Sequence, residues 1–393
     1  MANSINYVKV DDNWRHLANV YSKVDGEWYS TLPQPIYTSI YDKSKATTTS
    51  DCLTYSGACE GFTPMKGGTG NVNEGSWAQG NGTLFDAIEI GILADGQWVA
   101  DDKSEMHAFV GYDSFTRIPR IYEKVTDLGN NKTQLEISLG QFNGSRLHPA
   151  FITDGVVKNH RYIGRFLGTI STTLHSWPTA AYPTTGLTRA EFRAAASANG
   201  AGYNLTKYWD WDLLNKLYLF AFKDFNSQSA LGSGLTATDD MIPPGDVTSN
   251  GVSWMYGGGA GRQMCFLGIE DYYGNAWWFI DDFYCEGGTC YAGNVSTPTD
   301  DTNNKVAIAT GLNYQGTPLT CKATLDAFHL MGTVGGTETT GLCDQQYYDT
   351  DANIGRVGGY YASGKETGMF YINAMNSASA TSEMVGARLA YSD

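Results

Sequence analysis

Gly358-Gly359-Tyr360-Tyr361-Ala362-Ser363-Gly364-Lys365-Glu366-Thr367-Gly368-Met369-Phe370, followed further on by Gly386-Ala387-Arg388-Leu389, is the stretch on which the reading of this chain turns. Rings and small polar residues are threaded between glycines, and an aliphatic pattern returns only from Val385 to Leu389. Such a segment buries itself poorly and is suited to touching something else. Tyrosine offers a wide amphipathic contact face with few torsions to freeze, while Ser, Gly and Asn offer adaptable hydrogen bonding. The stretch reads as a binding surface rather than a catalytic one.

Composition sets the frame around it. A chain of 393 residues has room for two or three domains, and a hydrophobic share of 42% with 13% aromatics supplies a packed core. The 46 glycines and 25 tyrosines predict many turns and short strands. A formal net charge of -15, with no Lys/Arg cluster to offset it, repels a phosphate backbone and argues against nucleic acid as a partner. The same acidity suits a protein held in many copies on one particle. Met1-Ala2-Asn3-Ser4-Ile5-Asn6 lacks the basic and apolar parts of a signal peptide. No apolar run approaches the roughly 18 to 20 residues of a membrane span. Synthesis in the cytoplasm without membrane insertion is the expectation. The seven cysteines (Cys52, Cys59, Cys265, Cys285, Cys290, Cys321, Cys343) include no Cys-x-x-Cys pair and are read as reduced thiols packed as small hydrophobes.

Three regions are expected. In 1-32, Tyr7-Val8-Lys9-Val10-Asp11-Asp12-Asn13-Trp14 recurs as Tyr21-Ser22-Lys23-Val24-Asp25-Gly26-Glu27-Trp28. Each copy alternates apolar and polar residues around an Asp-containing turn, predicting two β-hairpins. Hairpins this small do not form a stable core alone, so they are expected to trimerise, to dock onto a larger assembly, or to cap the next domain. Region 33-145 is irregular and β-rich, with strand-like pieces at Ile118 to Val125 and Gln134 to Leu139. Its loop Gly67 to Gly75 lacks the lysine-serine ending of a phosphate cradle. Region 146-393 is expected to be α+β. Thr188-Arg189-Ala190-Glu191 is a capping box opening a helix that Gly200 is placed to end. A second helix is expected from Asp210 as N-cap, with Leu213, Leu214, Leu217, Phe220 and Ala221 on one face.

Several runs of this last region resemble phage and prophage tail proteins. They are Arg161-Tyr162-Ile163-Gly164-Arg165-Phe166, Phe225-Asn226-Ser227-Gln228-Ser229, Gly268-Ile269-Glu270-Asp271-Tyr272-Tyr273-Gly274-Asn275-Ala276-Trp277, Ile280-Asp281-Asp282 and the terminal stretch quoted first. The match runs from about Leu147 to Tyr391, with Pro119 to Val125 upstream. Its order of motifs resembles the variable proteins of diversity-generating retroelements, phage major tropism determinants among them. What the resemblance implies is a C-type-lectin-like receptor-binding domain, displayed as a homotrimer on the virion tail beside other tail proteins. Its partner would be a host cell-surface receptor, glycan or protein. The resemblance divides the terminal segment into a fixed scaffold (Gly358, Gly359, Gly368, Phe370, Gly386, Arg388) and interchangeable contacts. The contact positions are Gln345, Tyr347, Tyr348, Tyr360, Tyr361, Ser363, Lys365, Glu366, Tyr371, Asn373, Met375 and Ser377.

Sugar-binding lectins of that fold carry Glu-Pro-Asn or Gln-Pro-Asp and Trp-Asn-Asp triplets, which this chain lacks; Trp278-Phe279-Ile280-Asp281 is no substitute. No metal and no cofactor is therefore expected, and contacts to a ligand would be direct. Two other readings stay open. A tail-associated glycan hydrolase would need two carboxylates, for which Glu270 with Asp271 and Asp281 with Asp282 are the candidates. A purely structural tail protein would bind no cell. The histidines are scattered, and no triad order can be drawn from them. The expectation is of no enzyme.

Overall fold

The computed structural model describes residues 33–67, 72–78, 80–94, 96–100, 111–245, 255–259 and 261–393, and the backbone of four N-terminal strands. Those strands pair as Tyr7–Val10 with Asn13–His16 and Tyr21–Val24 with Glu27–Ser30. Val10 stands opposite Asn13 and Val24 opposite Glu27, the register the hairpin reading expects; the turn residues lie outside the described residues. Part of the glycine-rich loop expected from Gly67 to Gly75 lies outside the described residues.

Three larger sheets hold most of the remaining strands, beside smaller two- and three-stranded ones. One has the order Arg146–Leu147, Tyr122–Gly129, Lys132–Ser138, Tyr37–Asp42, Leu53–Gly57. A second has the order Tyr203–Leu205, Leu389–Tyr391, His160–Gly164, Ser114–Pro119, Glu89–Ala94, Gln97–Ala100. The third runs Val306–Thr310, Thr289–Ala292, Trp277–Glu286, Asn353–Val357, Ile372–Asn376, Gln346–Tyr348, Gln315–Gly316, with Val385–Gly386 pairing in parallel with Trp277–Glu286. The described chain is predominantly β-sheet.

The expected division at 145/146 is crossed by both strands and core. Ser114–Pro119 pairs with His160–Gly164, and Tyr122–Gly129 with Arg146–Leu147. The Tyr55 hydroxyl donates to the Phe220 carbonyl, and one apolar cluster runs from Tyr37 through Phe220 to Ala374. Regions 33-145 and 146-393 therefore share a core. The strand expected over Ile118 to Val125 is two strands, because the chain leaves one sheet at Pro119 and enters another at Tyr122.

Helix α1 (Arg189–Ser197) starts as its capping box predicts, with Glu191 accepting from the Thr188 amide at 2.8 Å. Helix α2 (Tyr208–Phe222) starts two residues before the expected N-cap. Asp210 sits inside the first turn, where its carboxylate accepts from the Lys207 amide at 2.9 Å and so satisfies a donor the helix leaves open. The expected apolar face is buried, but so is every other residue of α2. Tyr41, Tyr55, Trp77, Phe283 and Phe370 share its core, Tyr208 stacking on Phe283 at 5.2 Å and Tyr218 meeting Phe370 edge-on at 5.6 Å. Each large apolar side chain buried here contributes roughly 1.5–3 kcal/mol. Cys285 and Cys290 face each other across the hairpin joining Trp277–Glu286 to Thr289–Ala292 and form a disulfide, which corrects the reading of all seven cysteines as thiols. The other five are free and buried.

A helix buried on all faces must neutralise its own charges. Asp210 takes a two-pronged ion pair from Arg161 (2.8 and 2.7 Å). Lys216 Nζ lies 2.6 Å from Asp212 and 2.7 Å from Glu123, and also donates to the Leu325 carbonyl at 2.9 Å. His148 stands 3.0 Å from Asp212, and Arg146 bonds the other oxygen of Glu123 at 2.8 Å. Glu123, His148 and Asp212 are close enough to share a metal ion, but the Lys216 ammonium already bonds two of the three. The cluster reads as a structural ion-pair network.

Burial alone would raise the Asp212 and Glu123 carboxyls, yet the Lys216 ammonium, helped by His148, outweighs it and holds both below the usual range. Groups depressed in the folded state contribute fully above the ordinary carboxylate pKa of about 4 and lose that contribution as pH falls below it. The stability contributed by this network should therefore hold from neutral pH to about 5 and be lost on further acidification. Lys216→Met strands two buried carboxylates and is expected to cost about 3–5 kcal/mol at pH 7 in urea unfolding. That gap should narrow towards acid pH, where the carboxylates can protonate. A variant as stable as the parent at pH 7 would contradict this role.

Candidate ligand-binding face

Strand alternation decides which expected contact residues reach the surface. Arg356 of Asn353–Val357 stands opposite Asn373 of Ile372–Asn376, and Asn373 in turn opposite Tyr347 of Gln346–Tyr348. Ile372, Ala374, Gln346 and Tyr348 point into the core and are buried. Arg356, Asn373, Met375 and Tyr347 turn the other way and are half-buried. Tyr348 is thereby corrected. It is fully buried, with its hydroxyl 3.0 Å from Gln346, and has no surface to offer a ligand. Tyr371 is also buried, and its ring backs the face, 5.9 Å from Tyr347 and 6.4 Å from Trp277.

Trp277 is the centre of the arrangement. Tyr360 packs on it at 4.4 Å, Tyr361 meets Tyr360 edge-on at 5.1 Å, and the Arg356 guanidinium lies 4.1 Å from the Trp277 ring centre. The structure thus brings together Tyr347, Tyr360, Tyr361, Tyr371 and Asn373, with Met375 on the same strand face. Burial raises the Tyr347 phenol, with the Glu366 carboxylate adding to the shift. Gln345 donates its amide to the Glu366 carbonyl at 2.7 Å, and Ser363 Oγ accepts from the Tyr360 amide at 2.8 Å. Lys365 turns to Glu338 in an exposed pair at 3.3 Å, and Ser377 bonds Ser379 at 3.1 Å, so neither is tied to the ring cluster. Sequence reasoning missed Trp277 and Arg356. The Trp277-Trp278 doublet held a signal, because on a strand one of two adjacent tryptophans must face outward; Trp278 is the buried one.

The loop carrying these rings is fastened by its backbone. Tyr361 donates its amide to Asn275 O at 3.0 Å, and its carbonyl accepts from Thr238 at 2.8 Å. Gly364 donates to Thr236 O at 2.6 Å, while Gln228 Nε2 reaches the carbonyls of Gly364 and Thr367, each at 2.8 Å. The Phe370 amide donates to the buried Asp344 carboxylate at 2.8 Å. Glycine is required where the loop turns. A Cβ on Gly359 would fall 1.7 Å from Thr367 Oγ1 at a φ of +72°, and one on Gly358 2.5 Å from Tyr272 O at +84°. On Gly368 it would meet Ser227 Oγ at 2.2 Å, and on Gly386 Thr184 O at 2.9 Å. Phe370 is buried in the core. The buried Arg388 guanidinium donates to the carbonyls of Gly164, Glu270 and Asp271 at 2.7–3.0 Å.

The four acids considered for hydrolysis are all buried. Glu270 accepts from the Gly245 amide and Gln263, at 2.7 and 2.9 Å. Asp271, pushed up to about 7 by burial against hydrogen bonds from Asn275 and Gln263, is locked to those two amides at 2.7 Å each. Asp281 pairs with Arg193 at 2.6 Å, and Asp282 accepts from the Val295 amide at 2.8 Å and lies 3.2 Å from Lys305. A cleft of about 640 Å³ opens elsewhere, lined by Trp209, Asn294, Val306, Asp154 and Asp326 among others, and includes none of these four acids. Among the described residues no helix is long and apolar enough to cross a membrane.

No protein-family model matches the chain, and no curated protein matches it by sequence. Among solved structures, the Major Tropism Determinant U1 variant aligns with a TM-score of 0.28 and 14% identity, covering 78% of this chain and 71% of that one. The I1 variant gives 0.29 and 12% over the same shares, and the P3c variant 0.28 and 13%. A TM-score of this size does not establish a shared fold.

Proposed function

We propose that the chain is a receptor-binding protein of a phage or prophage tail, gripping a host cell-surface ligand through the face built around Trp277. The observation that carries this reading is the separation of roles in 358–370. The backbone is bonded to the scaffold at Asn275, Thr236, Thr238, Gln228 and Asp344, while Tyr360 and Tyr361 keep part of their rings at the surface. Side chains held this way can change without refolding the loop, which suits the interchangeable contacts implied by the motif resemblance. The C-type-lectin-like domain of that resemblance is supported by one further feature. The strands His160–Gly164 and Leu389–Tyr391, near the two ends of the matched region, pair antiparallel. The N-terminal hairpins would serve tail attachment or trimerisation, and three copies would multiply weak contacts into avidity.

Two predictions separate grip from frame. Tyr360→Ala with Tyr361→Ala is expected to weaken attachment to susceptible bacteria by about tenfold or more, from hot-spot energies near 1–2 kcal/mol per ring. The pair should cost stability only about 1–2 kcal/mol, the value of the lost ring contacts. Normal folding with unchanged attachment would refute the site. Gly359→Ala should act in the opposite sense, costing about 2–4 kcal/mol of stability from the forced left-handed backbone and the clash with Thr367. Urea unfolding reads it, and a loss under 1 kcal/mol would show that the turn is not fixed. A glycan hydrolase would shorten surface polysaccharide, and Glu270→Gln would stop it; the attachment reading predicts unchanged chain length.

A further inference from the structure

Arg356 is the anomaly of the face. Among the described residues the buried guanidiniums have partners: Arg161 has Asp210, Arg165 the Gly268 carbonyl and Ser114, Arg189 has Asp300, and Arg388 three carbonyls; the half-buried Arg193 has Asp281. Arg356 Nε is buried with no hydrogen-bond partner, and among the described residues its guanidinium meets no carboxylate. Burial pulls its pKa down, and the one ionisable neighbour that bears on it is the Tyr371 phenol, neutral at pH 7. The chain has 41 acidic residues against 26 basic ones, so a partner carboxylate was readily available. An unneutralised, partly desolvated guanidinium costs free energy in the free protein. Set among Trp277, Tyr347, Tyr360 and Asn373, it is poised for an anion that arrives with the ligand.

We propose that Arg356 is the anion-binding element of this face and that the ligand is a carboxylate-bearing sugar. This rests on the attachment reading and narrows it. The planar guanidinium fork matches a carboxylate in two-pronged geometry. A sugar is favoured over an acidic peptide by what the backbone has left to give. The amides of Gln345, Tyr360, Tyr361, Ser363, Gly364, Tyr371 and Met375 are all spent on internal hydrogen bonds. A peptide strand thus finds no free backbone donors among them to pair with. What remains is ring faces and the NH2 group of Asn373, whose oxygen already accepts from the Met375 amide and Asn376; these suit the apolar and hydroxyl-bearing faces of a pyranose.

The test uses the full chain and four soluble probes at millimolar concentration. Two are oligosaccharides ending in glucuronic acid or N-acetylneuraminic acid, one is a neutral glucose-ended counterpart, and one is an Asp/Glu-rich peptide. At least one acidic sugar should bind roughly tenfold or more tightly than the neutral one. Arg356→Gln should abolish that preference and Arg356→Lys should keep part of it. Because the cost of desolvating the lone guanidinium offsets its contact with the Trp277 ring, Arg356→Gln should melt close to the parent. A structural arginine would instead lower the melting temperature on removal, and that result would overturn the proposal. So would equal binding of acidic and neutral sugars, binding of the peptide alone, or no binding of either acidic probe. Should any of these occur while Tyr360→Ala with Tyr361→Ala still impairs attachment to cells, the attachment reading survives and the acidic-sugar assignment falls.

Discussion

A helix sealed on every side obliges the surrounding structure to meet its charges, and α2 organises this protein through that requirement. Its Asp210 is matched by Arg161 and its Asp212 and Lys216 by each other and Glu123. Arg161 belongs to one sheet and Glu123 to another, so the ion pairs fix where both lie against the helix. Such pairs add little net stability relative to apolar packing, but removing one partner is costly. The result is a core with one satisfied arrangement. The large sheet that presents the terminal segment is packed on that core through Phe283 and Phe370.

From this base the face follows by geometry. Period-two alternation sends Tyr348, Ile372 and Ala374 inward and Tyr347, Asn373 and Met375 outward. The connecting loop cannot wander, because Gly358, Gly359 and Gly368 sit where a Cβ would collide and the amides of Tyr360, Tyr361, Ser363, Gly364 and Phe370 are already bonded. Ordering costs for a ligand are therefore met at folding, and a preorganised surface binds with less entropy left to lose. Among the described residues the half-buried Arg356 guanidinium lacks the carboxylate or carbonyl partners of the buried ones, and it lies where a ligand would be.

Local chemistry was legible in the sequence. The Thr188 to Glu191 capping box and the paired hairpins depend on neighbours in the chain, whereas the scaffold glycines came through the resemblance, because what crowds them (Tyr272 at Gly358, Ser227 at Gly368) is distant in sequence. The start of α2 was misplaced because an aspartate serves equally well before a helix or in its first turn, and only the coordinates show Asp210 reaching back to Lys207. Tyr348 could not be separated from Tyr347 without knowing which face of the strand is buried. Trp277 and Arg356 are brought together by strand pairing between distant segments, for which no local pattern exists. The shared core of 33–145 and 146–393 was hidden for the same reason. The disulfide needed the hairpin register that sets Cys285 opposite Cys290.

The central claim is that the backbone of 358–370 is held as firmly as the core while the rings of Tyr360 and Tyr361 keep a face at the surface. Residue-resolved amide hydrogen exchange tests it most directly. The amides of Tyr361, Gly364 and Phe370 should exchange as slowly as those in the middle of α2, being released only with global unfolding. Exchange at the rate of an open loop, with α2 still protected, would contradict the account.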